Sequence, residues 1–184
     1  MKQNNRPVSK SAVLVIIALS SFITAFMDSS INIAVPSIGR QFSLNAISLS
    51  WVSTSYLLAG AVFLVPFGRL ADIKGRKKIF VFGMMVFSVS SFLAAISTSA
   101  LLLISCRILQ GVGSAMIFAT AVAILTSIFP APKRGQVIGI NIAAVYLGLS
   151  LGPFVGGLLT QYFGWGSIFF VDVVLGVIII FLTL

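Results

Sequence analysis

Two charged side chains interrupt long apolar segments of this sequence. Asp28 and Arg107 each lie within a stretch of uncharged, mostly apolar residues. A carboxylate in such surroundings is a candidate proton site, and an arginine there has a functional role by default. We therefore predict that Asp28 binds and releases a proton. Two alternatives stay open: Asp28 is neutral or paired beside water without a cycle of protonation, and Arg107 only ties helices together.

Other polar groups lie near these two in the sequence. Asn32 follows Asp28 by one helical turn, and Gln110 and Gly111 follow Arg107 at i+3 and i+4. Residues at these spacings share one face of a helix, so each set is expected to look into a helix bundle. The residues predicted to line a pathway for a small molecule are Asn32, Ser55, Gln110, Gly111 and Asn141.

Several classes of function are excluded by the residues. The sequence has no His, three acidic residues and one cysteine, Cys106. It has no Gly-Lys-Ser/Thr phosphate loop and no cluster of carboxylates, so no enzyme, cofactor or metal site is predicted. Twelve basic residues give a net charge of +9, but they are scattered and form no continuous stripe for nucleic acid.

The composition indicates a membrane protein. Of the 184 residues, 59% are hydrophobic and 8% are charged, against about 45–50% and about 25% in ordinary soluble domains. A spanning helix needs about 20 apolar residues. We predict an all-α fold with a tail over 1–11 and a six-helix transmembrane bundle over 12–184. The predicted helices are 12–34, 46–67, 79–96, 100–128, 136–160 and 167–184.

The basic residues predict the orientation in the membrane. Ten of the twelve fall on one side of the six predicted spans, in the tail, after the second span and after the fourth span. Basic residues accumulate on the cytoplasmic side, so the amino terminus is expected to be cytoplasmic in a multi-pass cell-membrane protein. The sixth span reaches Leu184 without a polar flank, and the chain is expected to be truncated there. The ten residues are Lys2, Arg6, Lys10, Arg69, Lys74, Arg76, Lys77, Lys78, Lys133 and Arg134.

Two segments carry specific patterns. Gly68 to Lys78 reads as a tight turn between the second and third spans, with Asp72 among five basic residues and glycines at both Gly68 and Gly75; a plain positive-inside loop is the alternative. The fifth span contains Gly148, Gly152, Pro153, Gly156 and Gly157, which place small residues every fourth position. Such spacing lets another helix approach closely, and an ordinary packing seam is the alternative.

These segments resemble those of the major facilitator superfamily. Gly68 to Lys78 is similar to its signature G-x-L-a-D-x-x-G-r-k-k, and Gly148 to Gly157 to the antiporter motif gxxxGPxxGG. The residues around Arg107 resemble the fourth-helix pattern, and Asp28 to Pro36 the first-helix motif of fourteen-helix drug:proton antiporters, with one residue fewer between Asp28 and Asn32.

The resemblance implies the amino-terminal half of a major facilitator fold, built as three-plus-three inverted repeats. It further implies a proton-coupled drug antiporter in which Arg107 biases a nearby carboxylate. Gly68, Asp72, Gly75, Arg76 and Lys77 would form a cytoplasmic gating loop. The expected partners are the lipid bilayer, a small-molecule substrate and a missing carboxy-terminal helix bundle, and the coupling ion is a proton.

Alternatives to drug efflux are a metabolite symporter or uniporter, and a non-transporting scaffold or half-transporter. One further acid, Asp172, lies near the outer end of the sixth span. We expect it to be an interfacial acid in water, because it lies about a turn and a half inside the span. The other interpretation is an added titratable group.

Overall fold

Over the residues that the structure describes, the chain forms a bundle of six α-helices. The computed structural model describes residues 9–183, and each helix within that range is long and apolar enough to cross a membrane. This confirms the predicted all-α membrane fold; the predicted contributions of Lys2 and Arg6 to its orientation lie outside the described residues. The helices are α1 Lys10–Phe42, α2 Ala46–Lys74, α3 Arg76–Ala95, α4 Ala100–Ile128, α5 Ala131–Phe163 and α6 Gly166–Thr183.

The predicted bounds are correct for α4 and too short for α1, α2 and α5. Helix α1 continues eight residues past the predicted end at 34, through Pro36, and stops where Ser43 adopts a left-handed conformation with φ 50°. Helix α5 begins directly after Pro130, five residues before the predicted start. Polar residues extend both helices beyond the apolar segments, because a helix satisfies its own backbone whether or not its side chains are apolar.

The connection between α2 and α3 is shorter than the predicted turn. Helix α2 continues through Gly68 and ends at Lys74. A Cβ added at Gly68 would lie 4.0 Å from the Ala119 side chain on α4. The turn consists of Gly75 alone, with φ +100°. Glycine adopts this conformation without steric cost, so Gly75 ends α2, whereas the space beside Gly68 would admit a Cβ.

The helices pack in a pattern that repeats after three elements. Helix α1 packs most extensively on α5, and α4 packs on α2 in the equivalent way. If each helix is replaced by the helix three places away in the chain, the α3–α4 contact becomes the α6–α1 contact, which is less extensive. This exchange is the relation expected of two inverted three-helix repeats.

The bundle is least buried along α2 and α5. Their outward surfaces carry large apolar side chains, among them Leu58, Val65, Tyr146 and Phe154. A surface of this kind suits lipid or another apolar helix surface. It also leaves one side of the bundle, between α2 and α5, free to face a further group of helices.

Candidate functional site

A cavity opens between α1, α2, α4 and α5. Its volume is about 460 Å³, and its walls are mainly apolar. Asp28 is the charged side chain in its wall among the described residues, and Tyr56 and Ser114 contribute hydroxyl groups from α2 and α4. The lining residues are Thr24, Ala25, Asp28, Tyr56, Leu57, Gly60, Ala61, Leu64, Ser114, Ala115, Phe118, Val145 and Leu149.

Asp28 is held in this wall by the packing of α1. It is half-buried, while its neighbours Met27 and Ser30 are buried. Asn32 lies one turn further and is exposed; its side-chain amide donates to the Asp28 carbonyl at 3.1 Å and accepts from Ser53 on α2 at 3.3 Å. Asn32 therefore links α1 to α2 and does not contact the carboxylate of Asp28.

The fifth-helix glycines form the surface on which α1 lies. A Cβ on Gly148 would stand 2.5 Å from the Phe22 carbonyl oxygen, and one on Gly156 would stand 2.7 Å from the Ser30 Cβ. A Cβ on Gly152 would overlap the Ser29 hydroxyl. The predicted close helix approach is confirmed, and its partner is the segment of α1 that carries Asp28.

Hydroxyl groups join the two helices along this seam. Ser29 donates to the Gly148 carbonyl at 3.2 Å, and Ser30 donates to the Gly152 carbonyl at 3.0 Å. Pro153 lies within α5 on its exposed side. A Cβ added at Gly157 would lie 3.7 Å from the Ile33 side chain. Small residues and interhelical hydrogen bonds are the means by which helices associate in lipid, so α1 and α5 are held at a fixed distance beside Asp28.

Arg107 lies behind the cavity wall and is fully buried. Its Nε donates to the Val52 carbonyl of α2 at 3.0 Å, and its Nη1 donates to the Gln110 side chain at 2.6 Å. The Gln110 amide in turn donates to Ser91 of α3 at 2.7 Å. This chain of hydrogen bonds fixes the guanidinium at the junction of α2, α3 and α4.

The ring of Tyr56 separates Arg107 from the cavity. The guanidinium carbon lies 4.3 Å from the ring centroid, a distance typical of a cation–π contact. Gly111 makes this arrangement possible, because a Cβ there would overlap the Tyr56 carbonyl and stand 2.9 Å from the Ala59 side chain. Sequence reasoning missed Tyr56; the available signal was an aromatic side chain with a polar group that directly follows the small residues Ser53, Thr54 and Ser55.

Tyr56 lies between Asp28 and Arg107. Its ring packs on the Arg107 guanidinium, and it lines the same cavity as Asp28. Over residues 9–183 Arg107 forms an ion pair with neither Asp28 nor Asp172, and its Nη2 has no hydrogen-bond partner. The two predicted coupling residues thus share one region, with Tyr56 between them.

The predicted pathway residues are not brought together at the cavity. Gln110 and Gly111 serve the Arg107 site, and Asn32 joins α1 to α2. Ser55 and Asn141 are buried, and the Ser55 hydroxyl and the Asn141 carbonyl oxygen lack partners among the described residues. Polarity alone did not separate side chains that face the cavity from those turned into helix contacts.

The predicted gating residues lie at the end of the bundle where α2 meets α3. Asp72 and Arg76 form an ion pair, with Nη2 and the carboxylate 2.9 Å apart. Arg76 Nη1 also donates to the Ala123 carbonyl of α4 at 2.8 Å. Gly75 forms the turn, and Lys77 is exposed. Arg76 therefore connects α2, α3 and α4 at this end.

The prediction that Asp172 is an interfacial acid in water is wrong. Its exposed fraction is 0%, and neither carboxylate oxygen has a hydrogen-bond partner among the described residues. It lies on the same side of α6 as Phe169 and Gly176, the side that packs into the bundle. The distance along the helix was a poor guide, because helical phase decides which side chains reach the interior.

A comparison with family models identifies the chain. The model of the Major Facilitator Superfamily matches residues 17–184. The chain belongs to this superfamily. With six helices over residues 9–183 that are long and apolar enough to cross a membrane, the chain is a multi-pass membrane domain of this superfamily.

Curated relatives in the superfamily have several stated functions. The riboflavin transporter RibZ of Clostridioides difficile is 38% identical over 173 residues, covering 94% of this chain and 38% of RibZ. Multidrug resistance protein Stp of Mycobacterium tuberculosis is 35% identical over 180 residues, with 96% and 34% covered. The cephamycin export protein CmcT of Amycolatopsis lactamdurans is 34% identical over 182 residues, with 98% and 37% covered. The chain thus spans little more than a third of their length.

Proposed function

We propose that this chain is one helix bundle of a proton-coupled efflux transporter for drugs or other small amphipathic molecules. The observation that carries the proposal is the largely apolar cavity of about 460 Å³ with the carboxylate of Asp28 in its wall. Apolar walls with few polar groups are typical of small-molecule sites. Relatives named for multidrug resistance and cephamycin export support an outward direction.

The cavity supports competition between a proton and a substrate at Asp28. An ionised Asp28 attracts a cationic or amphipathic molecule into an apolar space, whereas a protonated Asp28 has no charge to attract it. Binding of a proton from one side therefore releases the substrate on that side. Because the chemistry is a single protonation, no cofactor is required and the proton is the coupling ion.

Arg107 supports this cycle from behind Tyr56. Its positive charge is fixed by Val52 and Gln110 and does not depend on the occupancy of the cavity. A fixed charge in a low-dielectric region stabilises the ionised form of a nearby carboxylate. Arg107 thus acts as a positioning residue that biases Asp28 toward losing its proton.

Alternating access requires a second bundle, and the exposed sides of α2 and α5 are the surfaces we assign to it. These are the least buried helices, and the cavity opens between them and α1 and α4. A carboxy-terminal bundle of the same protein would close the cavity from the other side, and the two bundles would rock about it. In this arrangement the amino terminus is cytoplasmic, and the Asp72–Arg76 pair latches α2, α3 and α4 at the cytoplasmic end.

The test replaces Asp28 with Asn in the full-length transporter. Asn has the same shape and cannot exchange a proton, so ethidium efflux driven by an imposed pH gradient should be abolished in proteoliposomes. Asp28→Glu keeps the carboxylate and is the matched control, which should retain measurable efflux. Unchanged proton-driven efflux in the Asn variant would remove Asp28 from the mechanism.

A second candidate is transport of a metabolite such as a vitamin, which the relative named as a riboflavin transporter favours. The same proteoliposomes separate the two functions. Riboflavin accumulating inside against its gradient would support metabolite uptake, whereas ethidium expelled in exchange for protons, with no riboflavin movement, would support drug efflux.

A further inference from the structure

Asp172 has a position that the proposed cycle does not use. It lies in α6 between Gly166, whose added Cβ would stand 2.9 Å from the Ala95 carbonyl of α3, and Gly176, whose added Cβ would overlap the Ser88 hydroxyl. These contacts fix α6 closely against α3. They place Asp172 at the level of Ser88 and Ser91, the α3 residue that ends the hydrogen-bond chain from Arg107.

The carboxyl group of Asp172 is buried without any partner. Its exposed fraction is 0%, and both oxygens lack hydrogen bonds among the described residues. Burying an unpaired ionised carboxylate is far more costly than burying a neutral acid. Burial without a partner therefore favours the protonated form of Asp172 in the conformation described here.

A partner for the ionised form is present nearby. Arg107 is fully buried, and its Nη2 is the one polar atom of the guanidinium group left without a hydrogen bond among the described residues. Arg107 donates to Gln110, and Gln110 donates to Ser91 on α3, the helix that packs against α6 beside Asp172. A buried cation with a free donor and a buried acid with two free acceptors complement each other.

The helices packed on α6 offer no other counter-charge at this depth. The basic residues of α3 lie in its first turn, at the end opposite to Asp172, and those of α5 lie in its first turn as well. Asp28 on α1 is acidic and lines the cavity, and the basic Lys10 and Arg40 lie near the two ends of α1. The charged or titratable residues of these three helices are Lys10, Asp28, Arg40, Arg76, Lys77, Lys78, Lys133, Arg134, Tyr146 and Tyr162.

We propose that Asp172 is a second proton-binding carboxylate of this transporter, protonated in the conformation described here and ionised when it pairs with Nη2 of Arg107. On ionisation the O–H bond breaks, the electron pair stays on the carboxylate and the proton passes to water on the side to which the transporter is open. The inference rests on the proposed proton-coupled function. It adds one proton per cycle to the one bound at Asp28.

Infrared spectroscopy of the full-length transporter tests the proton directly, without substrate. A difference spectrum between acidic and alkaline pH should contain the C=O band of a protonated carboxylic acid from Asp172. Asp172→Asn should lose that band, Asp28→Asn should retain it, and Asp172→Glu should show a shifted band that still responds to pH. An Asp172→Asn spectrum identical to the wild-type spectrum, or a band that is constant at every pH, overturns the proposal.

Transport separates this proposal from the proposed function. With ethidium as the probe, the proton-to-ethidium ratio in proteoliposomes should fall by one in Asp172→Asn, while Asp28→Asn abolishes efflux. If Asp28→Asn leaves efflux unchanged while Asp172→Asn lowers the ratio by one, Asp28 is removed from the mechanism and the role of Asp172 stands. An unchanged ratio in Asp172→Asn overturns the proposal.

Discussion

The contact between α1 and α5 predicts that replacing Gly148 with alanine lowers the stability of the protein. In Gly148→Ala, the new methyl group would stand 2.5 Å from the Phe22 carbonyl oxygen and 2.9 Å from the Phe26 backbone nitrogen. Ordinary C···O contacts are about 3.3 Å or longer, so the helices must separate locally by about 0.8 Å. Because both atoms belong to the backbone, neither can rotate away as a side chain would.

The cost follows from two terms. Overpacking of this kind costs about 1–3 kcal/mol. The separation also stretches the hydrogen bond from Ser29 to the Gly148 carbonyl, already 3.2 Å long, and an interhelical hydrogen bond in a membrane is worth about 0.6 kcal/mol. The expected strain is about 1.5–3.5 kcal/mol. Gly139 on the same helix is the matched control, because a Cβ there meets nothing within 4 Å.

The comparison between Gly148→Ala and Gly139→Ala cancels the gain in helix propensity, which is about 0.8–1 kcal/mol for either substitution. The assay is thermal unfolding of the purified transporter in detergent, followed by tryptophan fluorescence, to which Trp165 contributes; Trp165 donates a hydrogen bond to Gln41 of α1. At about 2–4 °C per kcal/mol, Gly148→Ala should melt at least about 3 °C below Gly139→Ala. Equal melting temperatures would refute the backbone contact.

Two further predictions concern the polar contacts. Gln110→Ala leaves Nη1 of the buried Arg107 without its partner, so the free energy of unfolding should fall by about 1–3 kcal/mol; the exposed Gln136→Ala is the control, and similar denaturation curves for the two would contradict the assignment. Asp72→Asn removes an exposed ion pair with Arg76, so stability should change by less than about 1 kcal/mol while ethidium efflux slows. A normal efflux rate in this variant would exclude the pair from gating.

The sequence predicted the helices better than the directions of their side chains. The six spans follow from the length of the uncharged segments, and the bounds of α4 are correct because Ser99 caps its start through the Leu102 backbone N–H. The carboxyl end of α1 and the amino end of α5 were missed because hydropathy identifies only the part of a helix that lies in the hydrocarbon layer of the membrane. It does not report where the backbone hydrogen bonds stop.

The candidate site could be predicted only in part. Glycine spacing was sufficient to predict that another helix packs closely on α5, but not that this helix is α1. Asp172 and Tyr56 could not be placed, because their roles depend on the rotation of α6 and α2 about their own axes. That rotation is set by neighbouring helices. In segments that are apolar on every side, the sequence pattern gives little indication of which side faces the interior.

Two faces of helix α5 have different roles: one packs against α1 and the other lines the cavity. Gly148 and Gly152 hold it against α1, while Val145 and Leu149 line the cavity. Changes to the cavity residues alter the shape offered to a ligand without disturbing the seam, because the two sets point in different directions. Single substitutions at Val145 or Leu149 can therefore change which substrates fit the cavity while the helix contact is kept. We expect the glycines to stay invariant under the same selection.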